Sequence, residues 1–132
     1  MKDLFLKPHL IIIRGIPGSG KSSFANLMTK FNYYHIEADM YYYMKYGEYK
    51  WSKEEAPLAH EWCQKEFKKL IEKEKNIVIS NTFIKKSEME PYIKLANEHN
   101  YNISIIKMMT NFNTIHNVPE DTIKRMRENF EE

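Results

Sequence analysis

Eight consecutive residues near the start of the chain have the types and spacing of a phosphate-binding loop. They are Gly15, Ile16, Pro17, Gly18, Ser19, Gly20, Lys21 and Ser22, and they satisfy the pattern G-x-x-x-x-G-K-[ST]. Glycines let the backbone approach phosphate oxygens, and consecutive N–H groups then form an anion-binding nest. The pattern assigns Lys21 to the β- and γ-phosphates of a nucleoside triphosphate and the Ser22 hydroxyl to magnesium. We therefore predict that residues 15–23, which include Ser23, bind ATP and Mg²⁺; the alternative is a glycine-rich turn without a ligand.

Two further polar residues follow apolar segments that are predicted to be strands. Asp39 has the chemistry of a general base that takes the proton of an attacking hydroxyl, although an Asp there also suits a cap on the next helical turn. Asn81 follows another strand, where many P-loop enzymes carry an acidic residue near the metal. It is interpreted either as a neutral acceptor that orients a metal-bound water or as a residue of a turn.

Tyrosines are concentrated directly after Asp39, and Cys63 is the only cysteine of the chain. The tyrosine cluster consists of Tyr41, Tyr42, Tyr43, Tyr46 and Tyr49. Its rings could stack on nucleobases or pack the segment onto the core, and the sequence leaves both open. The five histidines have no metal-ligand spacing, and Cys63 is predicted to be a buried apolar side chain.

The elements that must position these residues alternate between strands and helices. Strands are predicted over 9–14, 33–38, 76–80 and 102–107, and helices over 21–30, from Ser52 to about 75, from Ser87 to about 99, and after Pro119 with Asn117 as its cap. Residues 40–50 are expected to be mostly irregular. This order predicts an α/β fold with three α/β/α layers and a parallel sheet of about four strands. In such sheets ligands bind beyond the carboxyl ends of the strands.

Composition limits the classes of protein to consider. A length of 132 residues and a hydrophobic content of 42% predict a single domain over 1–132 with its own core. The net charge of +2 neither indicates nor excludes a nucleic-acid partner. One cysteine favours a reducing cytoplasm, and no apolar run is long enough to predict a membrane partner.

Several segments resemble the bacteriophage-type polynucleotide 5′-hydroxyl kinases and related small P-loop kinase-like ATP-binding domains. Besides Asp39, the matching segments are 14–25 (RGIPGSGKSSFA), 59–64 (AHEWCQ), 79–82 (ISNT), 88–96 (EMEPYIKLA) and 116–126 (HNVPEDTIKRM). The resemblance implies an adenylate-kinase-like P-loop fold and transfer of the γ-phosphate of ATP to a hydroxyl. It implies that Lys21 meets the β-phosphate, that Ser22 meets phosphate or magnesium, and that Asp39 is the base.

Three positions depart from the pattern of that family. Asn81 stands where the family often has an acidic residue, and Tyr42 stands where it usually has an arginine for the substrate phosphate. The segment 110–117 is short and contains no arginine, whereas the family has an arginine-bearing lid helix there. Of the three arginines in the chain, Arg125 is the candidate to stabilise negative charge on the transferred phosphoryl group. The alternative is that Arg125 is a solvated charge on the protein surface.

The sequence thus predicts a kinase that acts on a hydroxyl of a nucleic acid or nucleotide. Two alternatives remain. One is a nucleotide-binding module that lacks its lid and has little catalysis. The other is a kinase with a small metabolite or a modified-base hydroxyl as acceptor. The oligomeric state is not predicted.

Overall fold

The computed structural model describes residues 7–110 and 118–132. Its strands are β1 (His9–Gly15), β2 (Tyr33–Ile36), β3 (Asn76–Asn81) and β4 (Asn102–Met108), and its helices are α1 (Lys21–Met28), α2 (Met40–Tyr46), α3 (Ala56–Glu72), α4 (Glu90–Glu98) and α5 (Glu120–Asn129). Short 3₁₀ turns cover Thr29–Phe31 and Lys86–Glu88. The predicted Asn117 cap and nearly all of the arginine-free segment 110–117 lie outside the described residues.

The four strands form one parallel sheet in the order β2-β3-β1-β4. Strand β1 is central, and its Ile12 pairs with Ile79 of β3 on one side and with Ile105 of β4 on the other. The predicted α/β class and four parallel strands are confirmed. Because all carboxyl ends of the strands lie at one edge, the residues after β1, β2 and β3 meet there.

Helices cover both faces of the sheet, which confirms the predicted three layers. On one face α3 and α4 bury Phe67, Ile71 and Tyr92 against Leu10 and Ile77. On the other face, Ala25 of α1 packs with Ile11, Ile13 and Val78, which alternate with the first set along their strands. A continuous apolar strand such as β1 is therefore buried from both sides, as its composition indicates.

The expectation of an irregular segment over 40–50 is wrong, because α2 occupies Met40–Tyr46. Tyrosines are weak helix formers, so the sequence gives little local preference for a helix here. Packing supplies the stability instead, since the Tyr42 side chain is 1% exposed and lies in the core. Gly47 ends the helix in the left-handed conformation at φ 76°, and its N–H donates to the Tyr43 carbonyl.

Two helix starts differ from the predicted capping boxes. Ser52 Oγ accepts the Glu55 N–H at 3.2 Å as expected, but a turn intervenes and α3 begins at Ala56. Ahead of α4, the Ser87 box is wrong: Glu88 Oε1 accepts the Lys85 N–H at 2.8 Å, and Ser87 lies within a 3₁₀ turn. One half of a capping box, the bond to the Glu88 carboxylate, is thus formed two residues earlier than the sequence spacing suggests, and the Glu88 N–H donates to the Lys85 carbonyl instead of a side chain. Within residues 7–110 and 118–132, no helix combines the length and apolar character needed to cross a bilayer.

Candidate active site

The glycine-rich loop after β1 has a backbone that only glycines adopt easily. Gly18 and Gly20 have φ values of 77° and 92°, in the left-handed region, and α1 begins immediately afterwards at Lys21. Gly15 starts the loop, and its N–H donates to the Thr82 carbonyl at 3.1 Å. A β-carbon at Gly15 would lie 1.8 Å from the Met108 carbonyl oxygen of β4, so a side chain has no room there.

Ser19 provides an observation that points to a ligand. It is 1% exposed, and its Oγ has no hydrogen-bond partner in the part of the chain that the structure describes. A buried polar atom without a partner is costly, and a bound phosphate would satisfy this one. Ile16 is fully buried beneath the loop, whereas Pro17, Gly18 and Gly20 are half-buried. The loop therefore fits the phosphate groups of a nucleotide.

Lys21 begins α1 and turns back toward the loop, where its Nζ donates to the Ile16 carbonyl at 2.9 Å. Burial lowers the pKa of Lys21 to about 8, although the nearby carboxylates of Glu37 and Asp39 act in the opposite direction. The ammonium thus faces two acidic side chains from the region after β2. A phosphate chain on the loop would give this partly desolvated cation a stronger counter-charge.

Ser22 contacts a carboxylate that the sequence interpretation did not select. The Ser22 Oγ donates to Glu37 Oε2 at 2.8 Å, and the Ser80 Oγ donates to the same oxygen at 2.9 Å. His35 Nε2 lies 2.8 Å from Ser80 Oγ and 3.7 Å from Glu37 Oε2. Burial opposes ionisation of Glu37, but its contacts with His35, Ser22 and Ser80 outweigh burial and lower its pKa. Glu37 is therefore an ionised carboxylate directly beside the P-loop.

Glu37 has a signal in the sequence, which is its spacing from two neighbouring polar residues. Glu37 lies two residues before Asp39, and residues two apart near a strand end project to the same side. His35 and Glu37 have the same spacing, and the structure brings them together. The structure thus adds the Glu37 carboxylate to the predicted site residues Lys21 and Ser22. Ser23 is exposed on α1.

Asp39 is half-buried immediately before α2, and its side chain makes no capping hydrogen bond to that helix. Its charge acts on Lys21 and also on Tyr42 and Tyr49. Asp39 therefore lies at the mouth of the sheet on the same side as the P-loop lysine. This is the position that a base needs, and its role as a base stays a prediction.

Asn81 lies at the end of β3 and is buried. Its Oδ1 accepts the Ala38 N–H at 2.9 Å, and its Nδ2 donates to Cys63 Sγ at 3.8 Å. These bonds connect the end of β2 to β3 and α3. The proposed contact of Asn81 with a metal-bound water stays a prediction, since both of its observed contacts are structural. Cys63 is fully buried as predicted, and burial raises its pKa to about 11.

The tyrosine cluster divides into a buried and an exposed part. Tyr42 packs edge-to-face on Tyr41 and Tyr49, with ring centres 5.3 and 5.8 Å apart. Tyr43 and Tyr46 are 46% and 39% exposed on the outer side of α2. Core packing therefore accounts for the first three, and stacking of a base on the exposed rings stays a prediction.

The arginines differ in their surroundings. Arg125 is exposed, and its Nη2 contacts Thr122 Oγ1 of its own helix at 3.4 Å. Arg127 Nη2 donates to the Met109 carbonyl at 3.1 Å. Arg14 is 4% exposed and donates to the Phe83 and Ile84 carbonyls after β3. The role of Arg125 on a transferred phosphoryl group stays a prediction without a supporting contact.

A metal ion at this site would have few protein ligands. No group of three or more His, Cys, Asp or Glu side chains that could hold a metal ion occurs in residues 7–110 and 118–132. Ser22 and Glu37 are adjacent oxygen donors, the ligand type that Mg²⁺ prefers, and Mg²⁺ usually keeps several waters and uses substrate phosphates as ligands. These residues fit a magnesium ion that arrives with a nucleotide.

Comparison with known proteins identifies the family. The family model AAA_33, described as an AAA domain, matches residues 10–132. The chain belongs to this AAA domain family. Human NEDD4-binding protein 2 is 32% identical over 134 aligned residues, which cover 92% of this chain and 8% of the human protein. This AAA domain therefore spans only a small part of that relative.

Solved structures share the fold of this AAA domain. A structure of the Pnkp1/Rnl/Hen1 complex matches with a TM-score of 0.66 and 20% identity, over 95% of this chain and 40% of the other. The Mycobacterium tuberculosis APS kinase CysC, in complex with AMPPNP and APS, matches with a TM-score of 0.59 and 13% identity, over 90% and 68% of the two chains. The predicted adenylate-kinase-like P-loop fold is thereby confirmed, and the fold is kinase-like.

Proposed function

We propose that this AAA domain is an ATP-dependent kinase that transfers the γ-phosphate of ATP to a hydroxyl of a nucleic acid or nucleotide. The observation that carries the proposal is the glycine-rich loop, whose buried Ser19 Oγ has no hydrogen-bond partner among the described residues and whose Lys21 lies near the carboxylate of Asp39. A phosphate-binding lysine and a carboxylate base must be close, because the acceptor oxygen attacks the phosphorus that the lysine helps to hold. The likeness of the fold to that of an APS kinase supports a kinase-like domain, and the acceptor class rests on the resemblance to polynucleotide kinases.

In the proposed reaction, the P-loop binds the triphosphate through its backbone N–H groups and the Ser19 hydroxyl. Asp39 takes the proton of the acceptor hydroxyl while the acceptor oxygen forms a bond to the γ-phosphorus. The bond from that phosphorus to the β–γ bridging oxygen breaks, and ADP leaves. Lys21 balances negative charge on the phosphates throughout. Magnesium, when bound with the nucleotide, neutralises charge on the β- and γ-phosphates.

A second candidate function is a nucleotide-binding module with little catalysis. The position of the expected substrate arginine holds Tyr42, which is 1% exposed in the core and so is unable to contact an acceptor phosphate as an arginine would. Arg125 contacts its own helix. An arginine on the transferring group is worth roughly a thousandfold or more in rate, so a site without one would be slow.

The test is transfer of label from γ-labelled ATP to a 5′-hydroxyl oligonucleotide in the presence of Mg²⁺. We expect the wild type to label the oligonucleotide. Lys21→Ala should lose both ATP binding and transfer, and Asp39→Asn should bind ATP but transfer at least roughly a hundredfold more slowly. Lys68→Ala, on the exposed side of α3, is the matched control for Lys21→Ala and should keep the wild-type activity.

The outcomes separate the candidates. ATP binding without any transfer would favour the binding module, and slow hydrolysis of ATP in the same reaction would instead favour a kinase with another acceptor. Full activity of Asp39→Asn would exclude Asp39 as the base. Absence of ATP binding by the folded wild type would overturn the proposal as a whole.

A further inference from the structure

The carboxylate of Glu37 has an arrangement that its role in the fold does not require. It lies at the carboxyl end of β2, and only 19% of its side chain is exposed. Hydroxyls from two other elements, Ser22 of α1 and Ser80 of β3, both donate to the one oxygen Oε2. Burial of an ionised group costs solvation free energy, and here the hydrogen bonds from Ser22 and Ser80 and the contact with His35 offset that cost. An ionised group held there suggests a cationic ligand.

The direction of these hydrogen bonds determines which lone pairs face a ligand. Ser22 gives its proton to Glu37, so the lone pairs of its oxygen point away from Glu37 and can be offered to a cation. Neither hydroxyl uses Oε1 of Glu37, and that oxygen can accept a hydrogen bond from a metal-bound water. Without Glu37, the Ser22 hydroxyl would rotate freely, and its proton could face the cation.

His35 and Ser80 hold this arrangement from the side of the sheet. Since the Ser80 proton is used on Glu37, the contact of 2.8 Å between His35 Nε2 and Ser80 Oγ requires His35 to donate. The His35 side chain is 6% exposed, so its ring is fixed by packing. The chain His35–Ser80–Glu37–Ser22 thus connects β2, β3 and the P-loop helix through successive donations that end on one carboxylate.

We propose that Glu37 is a positioning residue for Mg²⁺: it orients the Ser22 hydroxyl toward the metal ion of a bound nucleotide and accepts a proton of a metal-bound water. This inference rests on the proposed function, since it needs a nucleotide on the P-loop. It also accounts for the absence of a carboxylate at Asn81, because Glu37 brings the acidic group to the same edge of the sheet from β2. Asn81 then serves to fix Ala38, the residue between Glu37 and Asp39.

The test measures the affinity for ATP rather than catalysis, with and without the metal. ATP binding to the wild type and to Glu37→Gln is measured by calorimetry at pH 7.0, in excess Mg²⁺ and in excess EDTA. The ratio of the two dissociation constants is the magnesium enhancement. Loss of an outer-shell partner typically lowers metal affinity by roughly 10- to 100-fold, so we expect Glu37→Gln to lower the enhancement by roughly tenfold or more. Affinity in EDTA should be retained or increased, because a negative charge near the phosphates has been removed.

Two controls make the comparison specific. Glu98→Gln removes one acidic charge from the exposed end of α4 and should keep the wild-type enhancement. Ser80→Ala leaves Glu37 and Ser22 in contact but removes one support, so it should lower the enhancement less than Glu37→Gln does. Thermal unfolding of each variant verifies that it is folded at the temperature of the assay, and Ser80→Ala replaces Glu37→Gln in the comparison if that variant is not.

An enhancement in Glu37→Gln equal to that of Glu98→Gln and the wild type would overturn the inference while leaving the kinase proposal intact. Loss of ATP affinity in EDTA as well would also overturn it, since Glu37 would then support the P-loop and not the metal. If the folded wild type binds no ATP under either condition, the proposed function fails, and this inference fails with it. Electron paramagnetic resonance of Mn²⁺ with ADP gives a second readout, in which Glu37→Gln should bind less Mn²⁺.

Discussion

The guanidinium carbon of Arg14 lies 4.1 Å from the centre of the Phe130 ring. Arg14 is the residue directly before the P-loop, and Phe130 directly follows α5, so this contact joins β1 to the segment after α5. The Arg14 guanidinium also donates to the Phe83 carbonyl through Nε and Nη2, at 3.1 and 2.8 Å. Glu131 N–H donates to the Ile84 carbonyl beside it. The segment after α5 is thereby fixed to the segment after β3.

Arg14→Met should destabilise the fold by about 2–4 kcal/mol, because it leaves the buried Phe83 carbonyl without its donors and removes the contact with Phe130. The measurement is urea unfolding followed by circular dichroism. Phe130→Leu keeps an apolar side chain and should cost about 1 kcal/mol. In the double variant the two effects should not be additive, whereas full additivity would show that the arginine and the ring do not interact.

Gly15→Ala should destabilise the protein by about 3 kcal/mol or more, because its β-carbon would overlap the Met108 carbonyl at 1.8 Å and displace β4. Gly47→Ala is the matched comparison. Gly47 has open space around it but a φ of 76°, so only backbone strain of about 1 kcal/mol is expected. Thermal unfolding of both variants tests the order of the two effects. Equal losses would contradict the close approach of β4 to Gly15.

The affinity for ATP should fall as the pH rises above about 8. Burial lowers the pKa of Lys21 to about 8, so above that pH the free protein has a neutral lysine that must take up a proton before it can pair with phosphate. Between pH 7.5 and 9.5 we expect an affinity loss of roughly tenfold, measured by calorimetry. Lys21→Met should bind weakly with no such dependence, and a flat wild-type profile would contradict the lowered pKa.

The same group predicts a pH effect on folding. The pKa of Lys21 is about 8 in the folded state, below its ordinary value of 10.5. Between about pH 8 and pH 10.5, the folded state therefore binds fewer protons at this lysine than the unfolded state does. The free energy of unfolding should therefore increase as the pH rises from about 8 to 10.5, and this increase should be absent in Lys21→Met. Urea unfolding at several pH values makes the comparison.

Much of the fold was predictable because its elements are marked by composition. The four strands are short apolar runs between polar segments, and each was predicted to within two residues at either end. The start of the P-loop helix was predictable since the motif itself specifies it. What local patterns could not give was α2, whose seven residues include four tyrosines and depend on the burial of Tyr42.

Site residues that belong to a sequence motif were predictable. Site residues whose contacts are with residues far away in the sequence were less predictable. Lys21 and Ser22 follow from the loop pattern, but Glu37 takes its significance from Ser22, fifteen positions earlier, and from Ser80, forty-three positions later. Such contacts depend on the order of strands in the sheet, which no single segment encodes. Asn81 illustrates the converse, since its strand-end position suggested a ligand role and the structure shows contacts with Ala38 and Cys63.

The strand order has a consequence for how such a domain can diverge. Among the strands that the structure describes, β2 pairs with β3 alone, whereas the P-loop follows β1. The backbones of β2 and β1 therefore lie about 10 Å apart, and the Glu37 side chain spans that gap to reach Ser22. The exposed side of α2, where Tyr43 and Tyr46 lie, can therefore be replaced with little disturbance to the loop, provided that the buried Tyr42 is kept. Under the proposed function, new sequences on that side of α2 would exchange one acceptor preference for another while the P-loop stays unaltered, which makes this edge the natural place for evolution or design to begin.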